Sequence, residues 1–114
     1  MGIFNFRRRK HRERAATRYA CRIPARVVMC DSGVRYEGII SNISTGGAMF
    51  RPALSFLLSR KGGEIQIEVD GGILSGEIMG TSPYGYGIRF TTDIDAGQLA
   101  RLLDLSVHAD AAAA

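Results

Sequence analysis

The run Glu64-Ile65-Gln66-Ile67-Glu68-Val69-Asp70 alternates polar and apolar side chains without a fault, and Gly71-Gly72 follow at once. Period two puts Ile65, Ile67 and Val69 on one face and Glu64, Gln66, Glu68 and Asp70 on the other, the pattern of a strand with one buried face. Glycine allows the positive φ that tight hairpin turns need, so Asp70–Gly72 predicts an immediate reversal into a strand over Ile73–Met79. This unit commits the chain to antiparallel β-structure.

Other segments fall in with it. Arg22–Cys30 is rich in β-formers, with Pro24 tolerable at a strand start or edge. Asp31-Ser32-Gly33 reads as a turn, and Val34–Ser41 as the return strand of a hairpin. Gly46–Phe50 and Tyr86–Thr92 supply two more strands, whereas residues 52–61 fit a helical turn or an irregular connection equally well. Fourteen glycines suit many turns and short strands. The period then changes. Asp95 and Gln98 form a capping box, Ile94 can staple to Leu99, and Leu99, Leu102, Leu103 and Val107 recur at helical spacing. One amphipathic helix ending near Val107 or His108 follows. In 114 residues there is room for one domain. The predicted fold is mainly β: a small six-stranded antiparallel β-barrel with one C-terminal α-helix and a flexible basic N-terminal arm, closure removing exposed sheet edges. The arm covers 1–13, the folded domain 14–108 and a frayed tail 109–114.

The net charge of +4 conceals an asymmetry. Nine of the fifteen basic residues lie within the first 26 positions, against Glu13 alone, so the remainder is net acidic. A basic arm on an acidic body points to an anionic partner, a membrane surface, or an arm folded back on its own body. No stretch approaches a membrane span. The short apolar run in MGIFNFRRRK precedes the charges, the reverse of a secretory signal, and Phe6 stands where a myristoylation signal wants Ser or Thr. A cytoplasmic protein is expected. Cys21 and Cys30 have neither metal-ligand nor disulfide-framework spacing; Cys30 reads as a small buried hydrophobe and Cys21 as a bystander. His11 and His108 stand at opposite ends. No metal site, cofactor or catalytic site is expected, because Ser44 and the cysteines lack a histidine base in motif relation and no carboxylate pair is set for acid–base work.

Two motifs carry the functional reading: Arg14-x-x-x-Arg18 in the arm and Asn42-x-Ser44-x-x-Gly47 in the run SNISTGG. A guanidinium donates two hydrogen bonds to O6 and N7 of guanine, stacks on purines and pairs with phosphate. Asn42 offers an amide and Ser44 a hydroxyl, suited to a base edge or to locking their own turn. Gly47 lets a ring approach its backbone. Arg8/Arg12, Arg18/Arg22 and Arg22/Arg26 also satisfy the arginine spacing; Arg14/Arg18 is preferred because Arg18 directly precedes Tyr19 and the strand.

In this order and spacing the two motifs resemble those of the bacterial PilZ domain, a receptor for cyclic di-GMP. RYACRIPARV resembles the entry to that family's first strand, and Tyr86-Gly87-Ile88-Arg89-Phe90 its last strand before a final helix, so the likeness spans about residues 12–106. The resemblance implies that Arg14 and Arg18 hold guanine and phosphate while Asn42, Ser44 and Gly47 form a cradle on the barrel. Arg12, Glu13, Arg22 and Gly46 are further candidate contacts. It implies a cyclic di-GMP receptor that signals by rearranging its N-terminal arm and changing its affinity for a downstream protein, with outputs such as motility or biofilm formation. The competing readings are a nonspecific nucleic-acid-binding protein acting through the basic arm, adhesion to a membrane surface through Ile3, Phe4, Phe6 and the basic cluster, and a PilZ-like protein-interaction module.

Overall fold

The computed structural model describes residues 17–53 and 62–106. Six strands run β1 (Tyr19–Met29), β2 (Arg35–Ile43), β3 (Gly47–Pro52), β4 (Glu64–Val69), β5 (Gly72–Ser82) and β6 (Gly85–Phe90), followed by helix α1 (Ala96–Asp104). All neighbours pair antiparallel, and the sheet closes in the order β1-β2-β3-β6-β5-β4. The expected six-stranded barrel with one C-terminal helix is the fold observed.

The hairpin that set the class is present in detail. Val69 pairs with Gly72 across Asp70 and Gly71, both with positive φ (52° and 75°), as a two-residue primed turn requires. Ile65, Ile67 and Val69 point into the core, where they meet Ile23, Val27, Ile40, Phe50, Ile78 and Ile88. Tyr86 is also core, whereas Tyr84 is exposed in the turn before β6. Helix α1 starts where the capping pattern puts it: the Asp95 carboxylate accepts from the Gln98 backbone N–H at 2.7 Å. Ile94, Leu99 and Leu102 are buried, which turns the helix's apolar face onto the barrel. The helix ends at Asp104, earlier than its apolar spacing predicts, with Leu105 as its C-cap.

The two cysteines exchange the expected roles. Cys30 is exposed because it lies just past the end of β1, at the turn. Cys21 is half-buried against the core, and its thiol donates to the Ile40 carbonyl at 3.5 Å. Burial pushes the Cys21 pKa above its ordinary value.

Three register shifts interrupt the ladders, between Ala20 and Ile23 on β1, Ile40 and Asn42 on β2, and Ile78 and Gly80 on β5. Their effect shows in β2. Strict alternation from the buried Ile40 would turn Asn42 inward; the extra residue, Ser41, sends Asn42 outward and returns Ile43 to the core. The same device on β5 follows Met79, which alternation already turns outward from the buried Ile78, and sets Gly80 opposite Gly87. All three shifts adjoin one cross-strand row, Ala20–Asn42–Met49–Gly87–Gly80, and this row crosses the candidate site.

Candidate functional site

A cleft of about 560 Å³ lies on the outer face of the barrel across the β3–β6 seam. Its lining includes Arg18, Asn42, Ser44, Gly46 and Gly47, so the arginine entering β1 and the polar turn after β2 meet in one place. They touch: Arg18 Nη1 donates to Asn42 Oδ1 at 2.9 Å. That contact depends on two local features. Ala20 pairs with Asn42, which brings the start of β1 beside the end of β2, and the Ser41 bulge aims the Asn42 amide outward.

The turn itself is tightly built. Ser44 is 4% exposed. Its hydroxyl accepts from the Gly46 N–H at 3.2 Å and reaches the Gly47 carbonyl at 3.5 Å, and its own N–H donates to that carbonyl at 2.8 Å. The turn is then tied to the strand end behind it, because the Gly46 carbonyl accepts from Phe90 N–H and the Thr45 carbonyl from Ile94 N–H, each at 2.9 Å. Ser44 thus serves its own turn, one of the two roles open to it from sequence. Gly47 carries a structural demand of its own, since a Cβ there would run into the Ile88 carbonyl oxygen on β6. Its missing side chain lets β3 and β6 close beneath the cleft.

Of the other candidates, Arg22 is not among the residues lining the cleft. Its backbone N–H is engaged by Ser106 at 2.8 Å, and the Arg18 register is the one that reaches Asn42. Arg12, Glu13 and Arg14 lie outside the described residues.

Sequence reasoning passed over Met49, Met79 and Gly87 and left Arg89 open; all four line the cleft. Met49 and Gly87 are directly paired, and Gly87 faces Gly80 on the next strand. A Cβ at Gly80 would meet nothing within 4 Å, and one at Gly87 only the Gly80 carbonyl at 4.0 Å. Two adjacent glycines therefore leave a shallow floor between two flexible thioethers, a surface that can adapt to a flat ring. The signal for Met49 was available, as the outward residue between Ala48 and Phe50. Met79 continues the outward series Ile73, Ser75 and Glu77, so its signal was available too; the bulge hides Gly80, which it turns outward opposite Gly87. The described lining holds two guanidiniums, Arg18 and Arg89, and no carboxylate. A cleft of this size, with convergent donors and a partly apolar floor, has room for a small molecule. Its described lining is cationic in formal charge.

Among the described residues no group of three His, Cys, Asp or Glu side chains gathers to hold a metal, and no helix is long and apolar enough to cross a membrane. A small closed barrel with a cationic cleft on its outer face is an architecture suited to ligand binding. The family model described as "PilZ domain" matches residues 6–107. Among solved structures the chain is similar to the PilZ domain of CeSA from a cellulose-synthesizing bacterium, at 26% identity and a TM-score of 0.53, over 77% of this chain and 95% of that one. No curated protein matches the sequence. The chain belongs to the PilZ domain family, a family of cyclic di-GMP-binding receptor modules rather than enzymes.

Proposed function

We propose that this chain binds cyclic di-GMP in the cleft across the β3–β6 seam and signals through the segment that carries Arg14 and Arg18. The carrying observation is the 2.9 Å hydrogen bond from Arg18 to Asn42, which joins the two halves of the motif pair over one cationic cleft. Arg18 pairs with phosphate or reads a guanine edge, and Arg14 supplies the second guanidinium. Asn42, with the turn held by Ser44 and Gly47, forms the cradle, and Met49 and Met79 flank a ring laid over Gly87. In the ligand-free chain Arg18 rests on Asn42. The nucleotide replaces a neutral amide acceptor with anionic ones, which bind a guanidinium more strongly. Recruiting Arg18 in this way repositions the start of β1 and the arm before it, and the rearranged arm changes affinity for a downstream protein in the cytoplasm.

Micromolar binding needs about −8 kcal/mol, within reach of a few charge-assisted contacts and a stacked ring. Calorimetric titration with cyclic di-GMP, beside GTP and cyclic GMP, tests the reading. Saturable heat with cyclic di-GMP alone, sharply reduced in Arg18→Ala and Asn42→Ala, is the expected result. A flat titration of the folded wild-type chain removes it.

A further inference from the structure

The hydrogen bond from the Arg22 backbone N–H to Ser106 Oγ, at 2.8 Å, joins residues 84 positions apart. It forms where β1 breaks register with β2. Between the pairs Ala20–Asn42 and Ile23–Ile40, two β1 residues, Cys21 and Arg22, oppose Ser41 alone. A bulge of this kind takes a backbone group out of the ladder and bends the strand, so its geometry stays open unless something fixes it. Ser106 supplies a fixed acceptor. It stands two residues beyond α1, its own N–H donates to the Leu103 carbonyl at 3.1 Å, and the helix is anchored by the buried Leu99 and Leu102.

The bulge lies between that anchor and the cleft. Arg18 is four residues upstream of Arg22, and the only ladder pairs between them and the register break are Tyr19–Ile43 and Ala20–Asn42. The direction in which β1 presents Arg18 to Asn42 is therefore set by those two pairs together with the bulge behind them. We propose that Ser106 is a positioning residue for the nucleotide cleft: by holding the Arg22 N–H it fixes the β1 bulge, and so aims Arg18 at the site, while making the end of α1 sensitive to occupancy. This rests on the cyclic di-GMP reading above. Coupling of this kind is reciprocal, so whatever Ser106 contributes to binding, the bound nucleotide returns to the Arg22–Ser106 bond.

Calorimetry on wild type, Ser106→Ala and Ser106→Thr is paired with amide hydrogen exchange at Arg22, with and without cyclic di-GMP. Loss of one fixed hydrogen bond should weaken nucleotide binding about three- to tenfold in Ser106→Ala. Ser106→Thr, which keeps the hydroxyl, should restore it. On nucleotide binding the Arg22 amide should slow by a larger factor than the ladder amides of β4 across the barrel, an excess that general stabilisation of the fold by ligand would not give. Equal affinity of wild type and Ser106→Ala, or Arg22 exchange slowed no more than that of the β4 amides, overturns the role of Ser106 alone. A wild-type chain that takes up no nucleotide overturns the functional reading and this role with it.

Discussion

The β1–β4 seam lies diametrically opposite the β3–β6 seam in the ring of six strands, and it too carries a cleft of about 560 Å³. The two differ in chemistry, not in room. The β1–β4 cleft is lined by Glu37, Glu68 and Asp70 with Arg26 as its one described cation. Arg26 is occupied, with Nη2 3.4 Å from Glu37 Oε2 and Nη1 3.4 Å from Glu68 Oε1. A phosphate arriving there meets surplus carboxylates and a guanidinium already engaged. Across the barrel, among the described residues, Arg18 is held by the neutral Asn42 amide and by no carboxylate, so its transfer to an anion abandons no countercharge there. The partner a guanidinium rests on decides whether it is available, and cavity size decides nothing here.

The widest separation between the seams should come from removing each arginine. Arg18→Ala deletes a charge-assisted contact to the nucleotide, about 1.5–3 kcal/mol or roughly ten- to a hundredfold in affinity. Arg26→Ala should leave nucleotide affinity within about twofold and cost under about 1 kcal/mol of stability, because half-exposed ion pairs are screened by water. Parallel calorimetry decides between the seams. An Arg26→Ala loss as large as that of Arg18→Ala would move the site to the other side of the barrel.

Gly47→Ala attacks the same seam through packing. The added methyl meets the Ile88 carbonyl, a backbone atom within a closed ladder, so β3 and β6 must part. Overpacking of this kind costs about 1–3 kcal/mol, which lowers the melting temperature by several degrees in a domain of this size. Gly46→Ala has open space, its nearest neighbour being the Asp93 carboxylate at 3.8 Å, and should melt within about 2 °C of wild type. Thermal melts of the pair separate the structural use of the turn glycines from any use by the ligand. A wild-type melt for Gly47→Ala would mean that the seam yields easily.

Much of this was legible in residues. The alternation of Glu64–Val69 and the Asp70-Gly71 turn announced a hairpin, and the Asp95/Gln98 spacing announced the helix start, because each is a local rule obeyed locally. The pairing of Arg18 with Asn42 was legible only as motif order, since nothing in the spacing of the two shows that β1 and β2 bring them together. What stayed hidden depends on bulges. Counting by twos from Ile40 turns Asn42 inward, and the same count from Ile78 on β5 turns Gly80 inward, away from Gly87 and the cleft floor. A bulge has no strong composition signature, and three of them lie along the row that crosses the cleft. Cys21 and Cys30 were misjudged for a related reason: burial at the ends of β1 is set by the bulge and the turn, not by residue type.

The smallest expected effect uses those cysteines to sharpen the contrast between the cleft side of β1 and its far end. Cys21 sits in the bulge beside the cleft row, with its pKa raised by burial, so at pH 8 less of it is thiolate than for a free cysteine. Cys30 is exposed at the other end of β1. Iodoacetamide should therefore modify Cys30 first, with the Cys21 rate still climbing above the pH at which an ordinary thiol levels off. The sign for stability follows from the same shift. A thiol whose folded pKa is raised favours the folded chain while protonated, and that contribution fades as pH rises through the alkaline range. If cyclic di-GMP orders the entry to β1, it should slow Cys21 alkylation a few-fold further, by reducing local opening, and leave Cys30 unchanged. Mass spectrometry of the two peptides over time reads both rates at once. Equal protection of both cysteines would mean that the nucleotide stabilises the whole barrel rather than its β3–β6 side.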